Sequence, residues 1–318
     1  MRLFANPHTG YIIWVNDMDT ALQTAHYYAL HFETAAIGIT NKLPDGRNVL
    51  FLETDKRDMS ERAIMKHLAH RGIPFFMLIK TKKGYHLITR IYAPPTKIHG
   101  LCEEISEWLG WDKGYCELAK IRKDMDFSQI LRITGKYKEK DVVVVRWTDP
   151  INEWEKKVFD LYMEHAQFRT TVTRLTRGCP AYEPAASDEA LEKGREAHKE
   201  VLERLRFLGY EVEVPLTTRT MNITVEGRAD AVGQDEVIEV KPPIEKEVKY
   251  GLIQAVLYAR ELGKTLAVVV DYNLRVLAVA DARKEDPLSM SLRVDKDCEG
   301  CMLRGICGKV VEIGEATA

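Results

Sequence analysis

The chain has 318 residues, 45% of them hydrophobic and 30% charged, with a formal net charge of −2. That length and balance suit two ordinary soluble domains with real cores. The charge total does not demand a nucleic-acid partner, which needs a local basic stripe, and no apolar run approaches the roughly 20 residues of a bilayer span. Residues 1–150 carry 22 Lys/Arg against 18 Asp/Glu and the remainder 24 against 30, so the small total hides a basic first half and an acidic second. The amino terminus lacks the basic-then-apolar pattern of a signal peptide. A cytoplasmic location and no membrane partner are therefore expected. Six cysteines in such a setting read as metal ligands or buried thiols rather than a disulfide framework.

In chain order, Val49 to Glu53 and Phe75 to Lys80 read as buried strands with a helix over 59–71 between them. A Lys-Lys-Gly turn leads into a strand from Tyr85 to Tyr92. A helix over 97–109 and a strand from Gln129 to Thr134 follow. The run Val142 to Val145 ends at Pro150, which marks a domain boundary. Residues 151–175 read as a helical connector. After Pro180 and Pro184, a helix from about Asp188 to Leu208 is stopped by Gly209. Its residues Leu191, Ala197, Val201, Leu202, Leu205 and Leu208 share one face, with Gly194 and His198 on the same stripe. Strands at 210–216, 220–226, 228–232 and 236–241 lead to a helix over 245–262 and strands at 265–272 and 275–281. The expected fold class is α/β (α+β), with a first domain over 1–150, the connector, and a second domain over 176–318.

Chemistry is concentrated in the second half. Phosphodiester hydrolysis needs a metal to generate hydroxide and neutralise phosphate charge, and hard Mg2+ or Mn2+ prefers oxygen ligands. Asp230 and Glu239, on successive strands, supply two carboxylates. The strand period places Glu239 and Lys241 on one face, where the ammonium orients water or stabilises developing charge. His198 is a further ligand candidate, and Gly194 is expected to let backbone approach beneath it. A lone Glu-x-Lys is usually a solvated strand edge, and Gln254 with Tyr258 at i, i+4 is a common surface pair. The ordered set is what carries weight. Cys179 and the Cys298-x2-Cys301-x5-Cys307 tail bracket that set, and four thiolates hold either Zn2+ or a 4Fe–4S cluster.

These residues resemble the RecB-type branch of the PD-(D/E)XK nucleases, and more narrowly the fourth-numbered CRISPR-associated protein family of iron–sulfur exonucleases. The resemblance covers roughly residues 175–310, through Gly194-x3-His198, Gly227-x2-Asp230, Glu239-x-Lys241, Gln254-x3-Tyr258 and the one-plus-three cysteines. It implies that His198, Asp230 and Glu239 bind Mg2+ or Mn2+, that Lys241 is catalytic, and that Gln254 and Tyr258 help hold DNA. It also implies a 4Fe–4S cluster on Cys179, Cys298, Cys301 and Cys307, acting as a structural clamp on the C-terminal tail.

In the first half, Glu53 and Asp55 at spacing two make a divalent-metal pair at a strand end. Lys80, Lys82 and Lys83 around Gly84 suit a triphosphate, with His86 pointing into the same cleft and Arg132 and Lys136 adding anion-binding capacity. Cys102 and Cys116, near His99, read as buried thiols. This set resembles the archaeo-eukaryotic primase and primase–polymerase superfamily over roughly residues 25–145. A lysine stands at one glycine of its Gly-x-Gly-x-His-like strand, and Thr134 stands at its usual proline. The resemblance implies a third catalytic acid, for which Asp126 is the choice over Asp124, Glu117 and Asp112.

The resulting expectation is a metal-dependent DNA nuclease acting on single strands or frayed duplex ends. It is fused to a primase-like domain that either transfers nucleotides from nucleoside triphosphates or presents DNA, in replication or repair. One alternative is trimming of DNA in CRISPR adaptation, with an integrase partner. Another is a non-catalytic scaffold that binds DNA ends. Homo-oligomers would suit this nuclease type.

Overall fold

The computed structural model describes residues 2–4, 12–14, 38–55, 59–121, 129–133, 142–220, 222–292 and 296–314. The fold is mixed α/β. Its contacts divide it into two compact units, Met1–Arg169 with Leu303–Ala318, and Thr170–Met302.

In the first unit, β1 (Arg2–Phe4) pairs antiparallel with β2 (Ile12–Trp14), and β3 (Gly38–Thr40) pairs with a later strand. β4 (Asn48–Thr54) is an unbroken apolar run whose Val49, Leu50, Phe51 and Leu52 are all fully buried, as a strand covered on both faces requires. α1 (Glu61–Arg71) starts where the Ser60 hydroxyl accepts from the Ala63 N–H. It ends at Gly72, in the left-handed conformation. β5 (Phe75–Lys80) and β4 flank β6 (Tyr85–Ala93), both antiparallel to it. α2 (Ile98–Leu109) and α3 (Gly114–Ile121) follow, then β7 (Ile130–Arg132), the antiparallel partner of β3. β8 (Val143–Trp147) runs beside β5. α4 (Glu153–His165) is pinned to the sheet by buried Arg90, whose guanidinium donates twice to Glu155 at 2.8 Å.

Two expectations are corrected here. The segment 151–175 is not wholly helical: α4 stops at Ala166, and Gln167–Thr171 forms β9, parallel to β8. Its alternating burial, with Phe168 and Thr170 inside, is a strand pattern. Cys102 and Cys116 are not separate thiols. They form a disulfide between α2 and α3 with Cα atoms 5.6 Å apart. The helical hairpin brings together two residues that share no Cys-x-x-Cys signature.

In the second unit, α5 (Val172–Thr176) and α6 (Asp188–Phe207) precede a long hairpin. Its arms are β10 (Glu211–Thr220) and β11 (Ile223–Val232), paired antiparallel from Glu211↔Val232 to Thr220↔Ile223. The sequence suggested three shorter strands, but β-branched residues carry the ladder through. β12 (Glu236–Val240) is antiparallel to β11 and parallel to β13 (Leu266–Val270). Such a parallel pair needs a crossover, which α7 (Glu245–Glu261) supplies. β14 (Val276–Asp281) and α8 (Pro287–Leu292) complete the unit. β15 (Val311–Glu312), on the returning tail, adds to β6 of the first unit.

Two apolar clusters support this second sheet, one including Ala255, Val256 and Tyr258 of α7, the other including Val201, Leu202 and Leu205 of α6. The side of the long hairpin that faces each cluster changes partway along. Val214, Val225, Ala229 and Val232 belong with the α7 cluster, whereas Val212 and Ala231 belong with the α6 cluster. Residues two apart on a strand normally share a face. The exchange occurs across Glu213 and Asp230, between the pairs Val212↔Ala231 and Val214↔Ala229. Glu213 has φ of 54°, rare for a non-glycine residue inside a strand. Leu208, expected inside with α6, is 62% exposed because the helix ends before it.

Candidate functional site

Four of the expected residues converge in the second unit. His198 projects from α6, and its Nε2 lies 3.0 Å from Asp230 Oδ2. The same oxygen accepts from the Val240 N–H at 2.7 Å. The Asp230 N–H in turn donates to Glu239 Oε1 at 3.3 Å, and Lys241 Nζ donates to Glu239 Oε2 at 2.8 Å. Side chain and main chain thus bridge β11 and β12 where the hairpin changes face.

The charges in this group oppose one another. Burial, and then the neighbouring Asp230 carboxylate, push the Glu239 carboxyl up to about 7 against the charge and hydrogen bond of Lys241. Burial also works to raise Asp230, but the His198 hydrogen bond and the Lys241 charge outweigh it and hold Asp230 below the usual carboxylate range. The Asp230 hydrogen bond raises His198. For Lys241, burial works against the ammonium, and the Glu239 and Asp230 charges overcome it and raise the group.

Two glycines give this arrangement room. A Cβ on Gly251 of α7 would stand 2.6 Å from Lys241 Cγ, so the lysine stem crosses the helix there. A Cβ on Gly227 would stand 2.4 Å from the Tyr258 hydroxyl oxygen and 2.7 Å from Val172 Cγ2. Gly194 does not serve in this way. It is exposed, and a Cβ there meets nothing within 4 Å, contrary to the close approach expected beneath His198.

Gln254 and Tyr258 are placed differently from a nucleic-acid contact pair. Both are buried, at 5% and 3% exposure. Gln254 Nε2 donates to the hydroxyls of Thr173 and Thr176 at 3.4 and 3.5 Å, and the Tyr258 oxygen accepts the Arg228 N–H at 3.2 Å. As they stand they lock α7 to α5 and to the hairpin. Thr173 and Thr176 carried no sequence signal, because a lone threonine pair far away in the chain has no local pattern.

Of the expected cluster ligands, Cys179, Cys298 and Cys301 lie in the second unit, on two loops that zip together. The Ala185 N–H donates to the Gly300 carbonyl at 2.9 Å and the Met302 N–H to the Glu183 carbonyl at 3.0 Å. The Glu183 N–H points at Cys301 Sγ at 3.5 Å. Cys307 falls in the returning tail counted with the first unit. None of the four forms a disulfide. Arg177, which sequence reasoning missed, ties these loops to α7. Its guanidinium donates to Asp297 and to Glu247, each at 2.6 Å, and lies 4.1 Å from the Tyr250 ring centre.

In the first unit, β4 and β6 bring Glu53 opposite His86, with Oε1 and Nε2 3.6 Å apart. His86 is buried. Asp55 lies just past β4, where its N–H donates to the Asp112 carboxylate at 3.3 Å. Lys80 and Lys82 are exposed around the turn that Thr81 and Gly84 close. Arg132 sits on β7 opposite Gly38, its side chain outside the described residues. Asp126 and Lys136 lie outside the described residues altogether, as does Asp124. Glu117 is exposed on α3.

Among the described residues, no three His, Cys, Asp or Glu side chains stand as a ready-made metal cage. The donor chemistry of the second-unit group nonetheless fits Mg2+ or Mn2+. It offers two carboxylates and an imidazole, and one carboxylate is already pushed toward its protonated form by burial and by the charge of the other, a conflict that a divalent cation relieves. The zipped cysteine loops fit a thiolate-held group, with a backbone N–H aimed at one sulfur. Comparison with known proteins adds little to this geometry. No protein-family model matches the chain, and no curated protein matches it. A solved structure titled "Crystal structure of SSO0001" is 17% identical, with a TM-score of 0.29, over 48% of this chain and 93% of its own.

Proposed function

We propose that the second unit is a metal-dependent phosphodiesterase acting on DNA, of the RecB-like PD-(D/E)XK type. The observation that carries the proposal is the contact chain His198–Asp230–Glu239–Lys241, with successive distances of 3.0, 3.3 and 2.8 Å. His198, Asp230 and Glu239 would hold Mg2+ or Mn2+, which when bound would activate water and neutralise charge on the phosphate. Asp230 is held ionised by its partners, ready to ligate. The Lys241 ammonium is kept protonated beside it, where it stabilises charge building on the phosphate. Gln254 and Tyr258 hold α7 in place, and Gly251 leaves the space through which Lys241 reaches the site. Cys179, Cys298, Cys301 and Cys307 hold a 4Fe–4S cluster as a structural clamp.

The first unit is the companion module, a primase-like domain that transfers nucleotides or presents DNA. The Glu53–His86 and Asp55–Asp112 juxtapositions support that reading. They add Asp112 as an acid to test beside Asp126, which lies outside the described residues.

Cleavage of a labelled single-stranded oligodeoxynucleotide in Mn2+ tests the nuclease. Glu239→Ala and Lys241→Ala each abolish cleavage with the melting temperature retained; undiminished cleavage in either overturns the proposal. In the Lys241→Ala background, labelled nucleotides and a single-stranded template report on the first unit. Products that vanish in Asp55→Ala and Asp112→Ala mean nucleotide transfer, and no products with binding intact mean DNA presentation.

A further inference from the structure

A groove of about 570 Å³ runs beside α6 in the second unit and is lined by Arg195, His198, Lys199, Glu213 and Tyr272 among others. Glu213 belongs to the hairpin, and its φ of 54° gives its side chain a direction that ordinary strand geometry would not. Its carboxylate accepts from Arg228 Nη1 at 3.1 Å. Arg228 lies two residues before Asp230, about 7 Å along the strand.

We propose that Arg228 forms a phosphate-diester subsite at the mouth of this groove, with Glu213 as the carboxylate that holds its guanidinium until a nucleic-acid strand enters. The subsite rests on the reading of His198, Asp230, Glu239 and Lys241 as a phosphodiester-cutting centre, and it names a group that binds the substrate beside that centre.

Three features suit Arg228 to this role. Its backbone is anchored, because the Tyr258 oxygen accepts its N–H while Gly227 leaves room for the ring. Its guanidinium is not buried in a permanent network. The Arg228 and Glu213 side chains are 62% and 53% exposed, and an ion pair that open exchanges its partner at little cost. A phosphate diester offers the planar guanidinium two oxygens in place of one carboxylate contact. Arg195, Lys199 and Arg206 line the same groove against Glu203 and Glu213, so its Lys and Arg side chains outnumber its acids by one, and Arg195 pairs with Glu192 at 2.9 Å.

Binding of a labelled single-stranded oligodeoxynucleotide in EDTA across a salt series tests the subsite in the full chain. Arg228→Ala lowers the slope of log K against log salt by about 0.7, the value of one phosphate contact on a single strand. Arg228→Gln shows the same loss, Arg228→Lys keeps the slope, and Glu213→Gln tightens binding by removing the competing carboxylate. In Mn2+, Arg228→Ala raises KM with kcat and Mn2+ affinity little changed, a split that a merely structural role would not give. An unchanged slope in both Arg228→Ala and Arg228→Gln overturns the subsite, even if wild-type protein cleaves. Binding with an Arg228-dependent slope but no cleavage in Mn2+ keeps the subsite and overturns the nuclease. A wild-type chain that neither binds nor cleaves overturns both.

Discussion

The Asp230 N–H donates to the Glu239 carboxylate at 3.3 Å, so backbone holds two acidic residues on adjacent strands together although their like charges repel. Glu239 is the titrating member of the pair. Its carboxyl is raised by burial and by Asp230 to about 7, against an ordinary value of 4.5. Between those values the folded metal-free protein holds a proton that the unfolded chain has lost, so stability falls as pH rises through this window. Thermal melts in EDTA from pH 5 to 8 should show this decline, up to a few kcal/mol. Glu239→Gln removes its share of the decline, leaving that of His198, which runs in the same direction, and is relatively most stabilising at the alkaline end. A wild-type profile as flat as the variant's would show that Glu239 is not perturbed.

Gly251 separates stability from activity. Alanine inside a helix is favoured over glycine by about 1 kcal/mol, a gain that offsets part of the cost of disturbing the buried Lys241–Glu239 pair, so Gly251→Ala should change the melting temperature less than it changes activity. Its methyl group would displace the Lys241 stem, 2.6 Å away, and cleavage should fall by on the order of 100-fold. Full activity in this variant would mean that Lys241 reaches the site by another route.

Gly227 should behave in the opposite way. Here the added Cβ meets the Tyr258 ring and Val172 in the α7 cluster, neither of which can swing clear. Gly227→Ala should lower stability by about 1–3 kcal/mol, the usual cost of overpacking, measured by urea denaturation.

The Cys102–Cys116 disulfide closes a loop of sequence separation 14 under the first sheet. A crosslink of that span stabilises by about 3 kcal/mol. Reducing agent, or Cys102→Ala with Cys116→Ala, should therefore lower the first unit's unfolding transition and leave cleavage by the second unit unchanged. A transition insensitive to both treatments would show that the crosslink adds nothing.

Anaerobically purified protein should be brown and contain iron, and Cys179→Ser or Cys301→Ser should remove both colour and iron. Arg177→Met should weaken retention of the colour, since it removes the guanidinium that joins the cysteine loops to Glu247 of α7. Colourless protein with stoichiometric zinc would replace the cluster by a zinc site.

Local features were legible in the residues themselves. The 3.6-residue spacing specifies α6, the apolar run specifies β4, and the period of two places Glu239, near the end of β12, and Lys241, just past it, on one side. The ordered residues His198, Asp230, Glu239 and Lys241 could be read as a set because their types and order carry the chemistry. Whatever depends on distant partners came from the folded chain. Folding joined Cys102 to Cys116 across a helical hairpin, turned Gln254 inward onto Thr173 and Thr176, and left Gly194 open. It also set Glu213 at positive φ, where glutamate offers no turn signal, at the point where the side of the hairpin facing each apolar cluster changes. Periodicity reports which residues share a face, but not what packs against that face, and burial and pairing are set by the second partner.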